Sequence, residues 1–236
     1  LKVLNDFVRW VEQLPYASLD GIWLYRLEVL GIYIFLLLFL YYLKTRRFRN
    51  LVVCFSCLLC LGIYHTVMRW YDRPCPSLVF YNVRGCPAIH CIAEDGTSWL
   101  NYADTLSDKR RLQAVAANYW RRHQLLPPIE VTADCQNVDF CRHQQIVFYH
   151  GCRICMVTDN RWRNKSAASP LFINYMYLCK GYNGRLEELT GLFSPSCILL
   201  DASLSDDRKQ FFREECKRLH LHFITLSEEG SVRFLL

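Results

Sequence analysis

The chain has 236 residues, thirteen of them cysteine, and a net charge of +6 from 28 Lys and Arg against 22 Asp and Glu. Residues 1–73 hold nine basic and five acidic residues, whereas residues 74–236 hold nineteen and seventeen. The second part is therefore close to neutral, so its bulk charge does not indicate nucleic-acid binding, and its cysteines follow no zinc-finger spacing. The length suits one membrane-associated segment, residues 1–73, and one globular domain, residues 74–236. Because the chain begins with Leu, we expect it to be a piece of a longer protein.

Near the start, residues 7–14 carry apolar side chains at helical spacing and polar or charged side chains on the opposite face. Pro15 ends this helix, because proline lacks the backbone N–H that a helix interior needs. An amphipathic helix next to a membrane span is expected to lie along the membrane surface. Packing against other spans of a longer protein is an alternative that the sequence leaves open.

Two apolar runs follow, residues 22–43 and residues 51–67, with lengths that suit membrane-spanning helices. The segment between them, KTRRFRN, carries four basic residues and no acidic one: Lys44, Arg46, Arg47 and Arg49. Basic residues that flank membrane spans stay on the cytoplasmic side. We therefore expect a helical hairpin with a cytoplasmic turn and an extracytoplasmic C-terminal domain. A buried core hairpin in a soluble protein is the alternative.

Three ionisable side chains lie in or beside these runs. Arg26 and Glu28 precede the uncharged part of the first run, so we expect them near the membrane interface. His65 lies towards the end of the second run, where a polar side chain faces protein, water or the interface.

Beyond residue 73, short apolar runs alternate with turn signals, which is typical of strands. The predicted strands cover residues 78–81, 88–93, 98–102, 145–149, 152–157, 175–178, 197–200, 222–225 and 232–236. The dipeptides Asp95-Gly96, His150-Gly151 and Glu229-Gly230 predict hairpin turns between successive strands.

Helical spacing predicts three helices in the same part of the chain. The first covers residues 108–124 with Ser107 as N-cap, and its buried stripe is predicted to hold Leu112, Val115, Ala116, Tyr119 and Trp120. The second covers residues 185–192, and the third covers residues 206–219 with Ser205 as its cap. Strands and helices mixed in this order predict a layered α/β or α+β domain.

The loop after the strand at residues 175–178 lies between two glycines, Gly181 and Gly184, and presents Tyr182 and Asn183. Loops at the ends of buried strands commonly contact ligands. Neither side chain is a strong metal ligand, nucleophile or base. Among the ten cysteines outside the apolar runs, the one close pair, Cys152 and Cys155, points to opposite faces of its predicted strand, which argues against a shared metal.

Two segments now carry a resemblance to a known family. The segment FVRWVEQLPYASLDGIWL is similar to the amphipathic stretch before the last membrane spans of ComEC competence proteins. The segment ILLDASLSDDRKQFFREECKRLHLHFITLSEEGSVRFLL resembles the strand, helix and hairpin that close their metallo-β-lactamase-like domain. The resemblance covers nearly the whole chain. It implies the C-terminal part of an inner-membrane protein of natural transformation that takes up DNA.

The resemblance also locates where the family's metal motifs would lie. The segments LNYADTL and MVTDN keep Asp104 and Asp159, whereas GYNGR places Tyr182 and Asn183 where the family has two histidines. The family's His-x-His-x-Asp-His motif has no counterpart in the sequence. A catalytic zinc needs about three protein ligands, so we expect a vestigial site with no metal, no cofactor and no catalytic residue. An active metal-dependent hydrolase or nuclease with unusual ligands is the alternative.

A degenerate outer domain of this kind is expected to guide single-stranded DNA. Binding of single strands needs cations and stacking aromatic rings. The residues that the sequence offers are Arg161, Trp162, Arg163, Lys165, Lys180 and Arg185. The alternatives are a solvated loop with Trp162 packed inward and a structural cap that does not contact DNA. Membrane lipid and the upstream channel segment of the same protein are the other expected partners.

Overall fold

The computed structural model describes residue 5 and residues 23–102, 109–137 and 139–236. The predicted helix over residues 7–14, the Ser107 cap and Asp104 lie outside these ranges. The chain divides into two compact units, Leu1–Asp72 with Arg121–His123, and Arg73–Trp120 with Gln124–Leu236.

The first unit contains two antiparallel apolar helices, α1 (Arg26–Thr45) and α2 (Phe48–Tyr71). Both are long and apolar enough to cross a membrane. They extend into the basic segment that was predicted as the turn, so Arg46 and Arg47 alone join them. Lysine and arginine are good helix formers, which allows the helices to continue beyond the apolar runs. Arg46 ends α1 in the left-handed conformation, with φ at 48°.

The apolar side chains of this hairpin face outward. Leu37 is 68% exposed and Leu59 is 66% exposed, while Glu28 and Cys54 are the buried residues of the two helices. A core hairpin of a soluble protein would bury such leucines. The exposure therefore favours helices that face lipid.

The polar side chains of the hairpin pair with one another. The Glu28 carboxylate accepts a hydrogen bond from the Tyr25 backbone N–H at 2.8 Å and contacts His65 Nδ1 at 2.6 Å. The Tyr25 hydroxyl donates to Asp72 Oδ2 at 2.7 Å. Glu28 and His65, which the sequence placed at the interface or facing protein, thus lie against each other between the helices.

The second unit contains two sheets. The first sheet is built from β1 (Ser77–Phe80), β2 (Ala88–Ile92), β3 (Ser98–Tyr102), β4 (Ile129–Val131) and β12 (Val232–Leu235). Its strand order is β12-β1-β2-β3-β4, and only the β3–β4 pair is parallel.

The second sheet contains β5 (Cys135–Gln136), β6 (Phe140–His143), β7 (Ile146–Tyr149), β8 (Cys152–Val157), β9 (Leu171–Leu178), β10 (Phe193–Leu200) and β11 (Phe223–Thr225). Its strand order is β11-β10-β9-β8-β7-β6-β5. The strands β8 to β11 are parallel, and the strands β5 to β8 are joined antiparallel.

Four helices accompany these sheets: α3 (Lys109–Arg122), α4 (Leu186–Thr190), α5 (Asp206–Arg218) and α6 (Leu226–Glu229). One apolar cluster lies between the two sheets and includes Phe80 and Leu199. A second cluster lies between the first sheet and α3, and a third packs α4 and α5 on the second sheet. Alternating side chains of each strand supply these clusters. The predicted layered domain is therefore present, with helices outside two facing sheets.

The nine predicted strands are all present, although β9 and β10 begin four residues earlier than predicted. The strands β4, β5 and β6 were not predicted, because they are short and carry few apolar residues. The predicted hairpin turn at Glu229-Gly230 is wrong: α6 precedes Gly230, and β11 and β12 belong to different sheets. Val115 is 58% exposed, so it does not belong to the buried stripe of α3.

Candidate functional site: a cleft at the strand ends

The carboxyl ends of three parallel strands meet at one edge of the second sheet. Val157 of β8 is in register with Leu178 of β9, which is in register with Leu200 of β10. The residues that follow these strands therefore collect at the same edge. They include Asp159, Lys180 and Ser203.

The same edge opens into a cleft of about 760 Å³ between the two sheets. The side of the first sheet contributes Tyr102 at the end of β3, Lys109 at the start of α3 and Asp134 after β4. The second sheet contributes Arg142, Thr158, Asp159, Arg161, Lys180 and Ser203, among other residues. The volume falls within the range of small-molecule sites.

The loop YLCKGYNG is held close to the end of β8. A Cβ atom on Gly181 would lie 2.2 Å from the Thr158 carbonyl oxygen, and its φ of 117° disfavours any other residue. A Cβ atom on Gly184 would lie 2.3 Å from the Tyr182 hydroxyl. Gly181 therefore permits a backbone path that brings this loop against the neighbouring strand end, and Gly184 leaves room for the Tyr182 hydroxyl.

Tyr182, one of the two residues at the predicted histidine positions, points away from the cleft. Its side chain is buried, lies parallel to the Phe212 ring at 6.2 Å, and donates to the Arg185 carbonyl oxygen at 2.8 Å. Arg208 of α5 donates to the carbonyl oxygens of Tyr182 and Gly184 at 3.1 Å. The loop is thus anchored from the helical side of the sheet.

Asn183, the other such residue, is exposed and does not line the cleft. Its backbone N–H donates to Asn160 Oδ1 at 2.8 Å. This bond joins the loop after β9 to the loop after β8. Asn183 therefore acts through its backbone.

Asp159 lines the cleft and is paired with Arg161. Arg161 Nε lies 3.0 and 2.9 Å from the two Asp159 carboxylate oxygens, and Nη2 lies 2.8 Å from Oδ2. Burial raises the pKa of Asp159, but the hydrogen bonds and charge of Arg161 outweigh it, so the pKa lies below its usual value. Both oxygens of the vestigial carboxylate thus face a cation of the same loop.

The other predicted DNA contacts of this loop also have protein partners. The Trp162 ring is partly buried, packs edge-on against Phe193 at 5.0 Å and donates to Gln145 Oε1 at 2.6 Å. Arg163 forms an ion pair with Glu188 at 3.3 Å, and Lys165 Nζ lies 5.2 Å from the Trp162 ring centre. The inward packing of Trp162 is the arrangement that the sequence had left as an alternative.

The two remaining candidates for DNA contacts, Lys180 and Arg185, differ in whether they line the cleft. Lys180 is exposed and lines the cleft, and its backbone N–H donates to Ser203 Oγ at 3.1 Å. Arg185 is also exposed but lies outside the cleft lining, at the start of α4. Of the six predicted DNA contacts, Arg161 and Lys180 line the cleft.

Arg142 is a cleft residue that sequence reasoning missed. It lies on β6, a strand that was not predicted, and its Nη1 donates to Asn101 Oδ1 at 3.1 Å and to the Val131 carbonyl oxygen at 2.7 Å. The guanidinium therefore joins the second sheet to β3 and β4 of the first. Its partners are distant in sequence, so no local pattern identified it.

Tyr177 of β9 and Asp201, which follows β10, form a buried hydrogen-bonded pair next to the cleft. The Tyr177 hydroxyl donates a hydrogen bond to Asp201, and the Ser203 backbone N–H donates to Asp201 Oδ2 at 2.7 Å. Burial raises the pKa of the Asp201 carboxyl, although these hydrogen bonds oppose the shift. Asp201 is fully buried and orders the turn after β10.

No group of three His, Cys, Asp or Glu side chains is arranged to hold a metal ion within residues 23–102, 109–137 and 139–236. Asp104, the second vestigial carboxylate, falls in the gap between the first two of these ranges. The described side chains of the cleft therefore offer Asp159 and Asp134 as carboxylates, and cations and hydroxyl groups around them.

A family model described as the ComEC C-terminal domain matches residues 78–236. Neither the curated proteins nor the solved structures gave a match. ComEC proteins are membrane proteins of competence and DNA uptake, which agrees with the two long apolar helices of the first unit. Because the match covers more than half of the chain, the chain belongs to the ComEC C-terminal domain family.

Proposed function

We propose that the chain is the C-terminal part of an inner-membrane DNA-uptake protein whose globular domain is a degenerate, non-catalytic metallo-β-lactamase-like domain. The family match supports the role in competence. Two facing sheets with outer helices, and a cleft at the ends of parallel strands, support a former hydrolase scaffold.

The ion pair between Asp159 and Arg161 carries the non-catalytic part of this proposal. A metal ion would have to compete with the Arg161 guanidinium, which donates hydrogen bonds to both Asp159 oxygens. Arg161 already supplies positive charge to this carboxylate, which supports a cleft that works without metal-activated water.

The basic turn of the hairpin supports the proposal that the globular domain lies outside the cytoplasm. Arg46 and Arg47 form the turn, and Lys44 and Arg49 lie within one turn of it. Positive residues next to spans remain cytoplasmic, so the segment after α2 lies on the opposite side. A reporter enzyme that is active only outside the cytoplasm, fused after Leu236, is expected to be active. Activity of a cytoplasmic reporter at the same position would contradict this orientation.

The domain is proposed to guide single-stranded DNA along the cleft. Arg161 and Lys180 lie in the cleft lining, whereas Arg163, Lys165 and Arg185 are exposed on the loops next to it. Phosphate contacts of this kind depend on charge and weaken as the salt concentration rises. Lipid and the upstream channel segment are the other proposed partners.

The test uses the full chain in lipid nanodiscs and a labelled single-stranded oligonucleotide. We expect binding that weakens steeply with salt, and no cleavage when Mn²⁺ is present. Cleavage that requires Mn²⁺ and disappears in Asp159→Asn would identify an active nuclease instead. Absence of binding even at low salt would favour a structural cap.

A further inference from the structure

Arg142 is a partly buried cation that has only neutral partners among the side chains and backbone groups that the structure describes. Its three hydrogen bonds end on Asn101 Oδ1, the Val131 carbonyl oxygen and, at 3.2 Å, the Gln144 carbonyl oxygen. Asp134 influences it electrostatically but forms no ion pair with it within 4.0 Å. A cation removed from water without a carboxylate partner is costly, and a bound anion would offset that cost.

Lys180 is the second cation of the cleft without an acidic partner in the described ranges. The other two cations of the lining are engaged, since Lys109 is paired with Glu130 and Arg161 is paired with Asp159. The two lining carboxylates are engaged as well. Asp159 binds Arg161, and Asp134 contacts His143 at 3.2 Å and accepts from the Gln144 backbone N–H at 2.7 Å.

The surroundings of the two cations add hydrogen-bond donors. Thr132, Thr158 and Ser203 bring hydroxyl groups to the cleft lining, and Gln144 brings a side-chain amide. The amide of Gln145 is instead bonded to Thr158 and Trp162. Hydroxyl groups, amides and cations are the groups that commonly contact phosphate oxygens in nucleic-acid complexes. Burial also lowers the pKa of Arg142, which agrees with a desolvated guanidinium.

We propose that Arg142 and Lys180, termed the floor pair, form a metal-independent binding site for the phosphate group of a nucleotide. Arg142 is held in a fixed orientation by three oxygen acceptors that engage its Nε and Nη1 groups, so its Nη2 group is preorganised for a phosphate. Lys180 is exposed and contacts the phosphate as a point charge. The proposal deepens the proposed function and rests on it for the source of the phosphate, a DNA strand or a free nucleotide.

The experiment measures binding of three probes to the full chain in nanodiscs, with EDTA present: inorganic phosphate, thymidine 5′-monophosphate and a twelve-residue oligothymidylate. The variants are Lys180→Gln, Arg142→Gln and Arg142→Lys. Arg185→Gln is the matched control, because Arg185 is an exposed cation outside the cleft lining. Circular dichroism establishes that each variant folds.

We expect Lys180→Gln and Arg142→Gln each to weaken binding of the monophosphate about tenfold, and Arg185→Gln to leave it unchanged. Arg142→Lys keeps the positive charge but lacks the planar guanidinium. Its affinity for the monophosphate is therefore expected to lie between those of wild type and Arg142→Gln. If Arg142→Gln does not fold, Lys180→Gln and Arg142→Lys decide the matter.

The probes separate the sources of the phosphate. Competition of inorganic phosphate and monophosphate for one site supports a free nucleotide, and tight binding of the oligonucleotide alone, lost in Lys180→Gln, supports a DNA strand. Oligonucleotide binding that is unchanged in every floor-pair variant overturns the phosphate site and leaves DNA guidance intact. Absence of binding for all three probes overturns both.

Discussion

The rim loop, residues 159–165, and the floor pair differ in how their charges are satisfied. In the rim loop, Arg161 and Arg163 form ion pairs and Lys165 lies over the Trp162 ring. In the floor pair, Arg142 has neutral acceptors and Lys180 has no ion pair with a described residue. The cations of the rim loop thus have partners in the protein, whereas the floor pair has no acidic partner among the residues that the structure describes.

The largest expected effect is the loss of stability when Trp162 is replaced by Ala. The ring packs against Phe193 and its indole N–H donates to Gln145, so its loss leaves a cavity and an unpaired amide oxygen. We expect the free energy of unfolding to fall by about 3 kcal/mol, as for other large-to-small substitutions of packed aromatic residues. Chemical denaturation of the full chain measures the change.

The same variant separates packing from DNA stacking. Lys165→Gln, in the same loop, serves as a control that removes a charge without removing packing. If Trp162 stacks on bases, Trp162→Ala would leave stability unchanged and weaken oligonucleotide binding instead. That result would mean that the rim loop, like the floor pair, is available to bind DNA.

Replacement of Asp159 by Asn should raise the affinity for an oligonucleotide, an effect smaller in free energy than the loss of stability in Trp162→Ala. The substitution removes the carboxylate charge that occupies Arg161, so Arg161 becomes available to phosphate. We expect oligonucleotide affinity to rise about two- to fivefold at low salt, the range that a surface ion pair of under about 1 kcal/mol allows. A fall in affinity would mean that Asp159 itself supports DNA binding. Fluorescence anisotropy at two salt concentrations decides between these outcomes.

The smallest expected effect is the loss, at acid pH, of the stability that the Asp159–Arg161 ion pair contributes. Because the pKa of Asp159 in the folded chain lies below its usual value of 3.8, the ion pair is complete above that pH. As the pH falls through the lower folded value, Asp159 takes up a proton and its contribution to stability is lost. We expect the stability difference between wild type and Asp159→Asn to shrink below pH 3.8. A difference that stays unchanged throughout the acid range in which the chain remains folded would contradict this assignment.

Much of the layered fold could be predicted from the sequence. The central strands read as continuous apolar runs, because β8, β9 and β10 are covered on both faces. The strands β4 to β6 escaped prediction, since a three-residue strand such as Ile129–Val131 forms only through pairing with the distant β3. Cys152 and Cys155 contact different clusters, on opposite faces of β8, as the strand period predicts.

The site was less predictable than the fold. Asp159 and Lys180 follow predicted strands, and the parallel arrangement of β8 and β9 places both at the cleft. Tyr182 was expected in the vestigial site, but its ring packs on Phe212 because α5 covers that side of the sheet. Arg142 lies in a hairpin without an apolar pattern, and only the facing of the two sheets brings it to Asn101. Local sequence carries no signal for such a contact.

The most direct test of the emptied site is the manganese content of the full chain after dialysis against Mn²⁺, an ion that cysteine thiols bind weakly. The account predicts far less than one Mn²⁺ per chain, with no difference between wild type and Asp159→Asn. One tightly bound Mn²⁺ per chain that Asp159→Asn removes would contradict it.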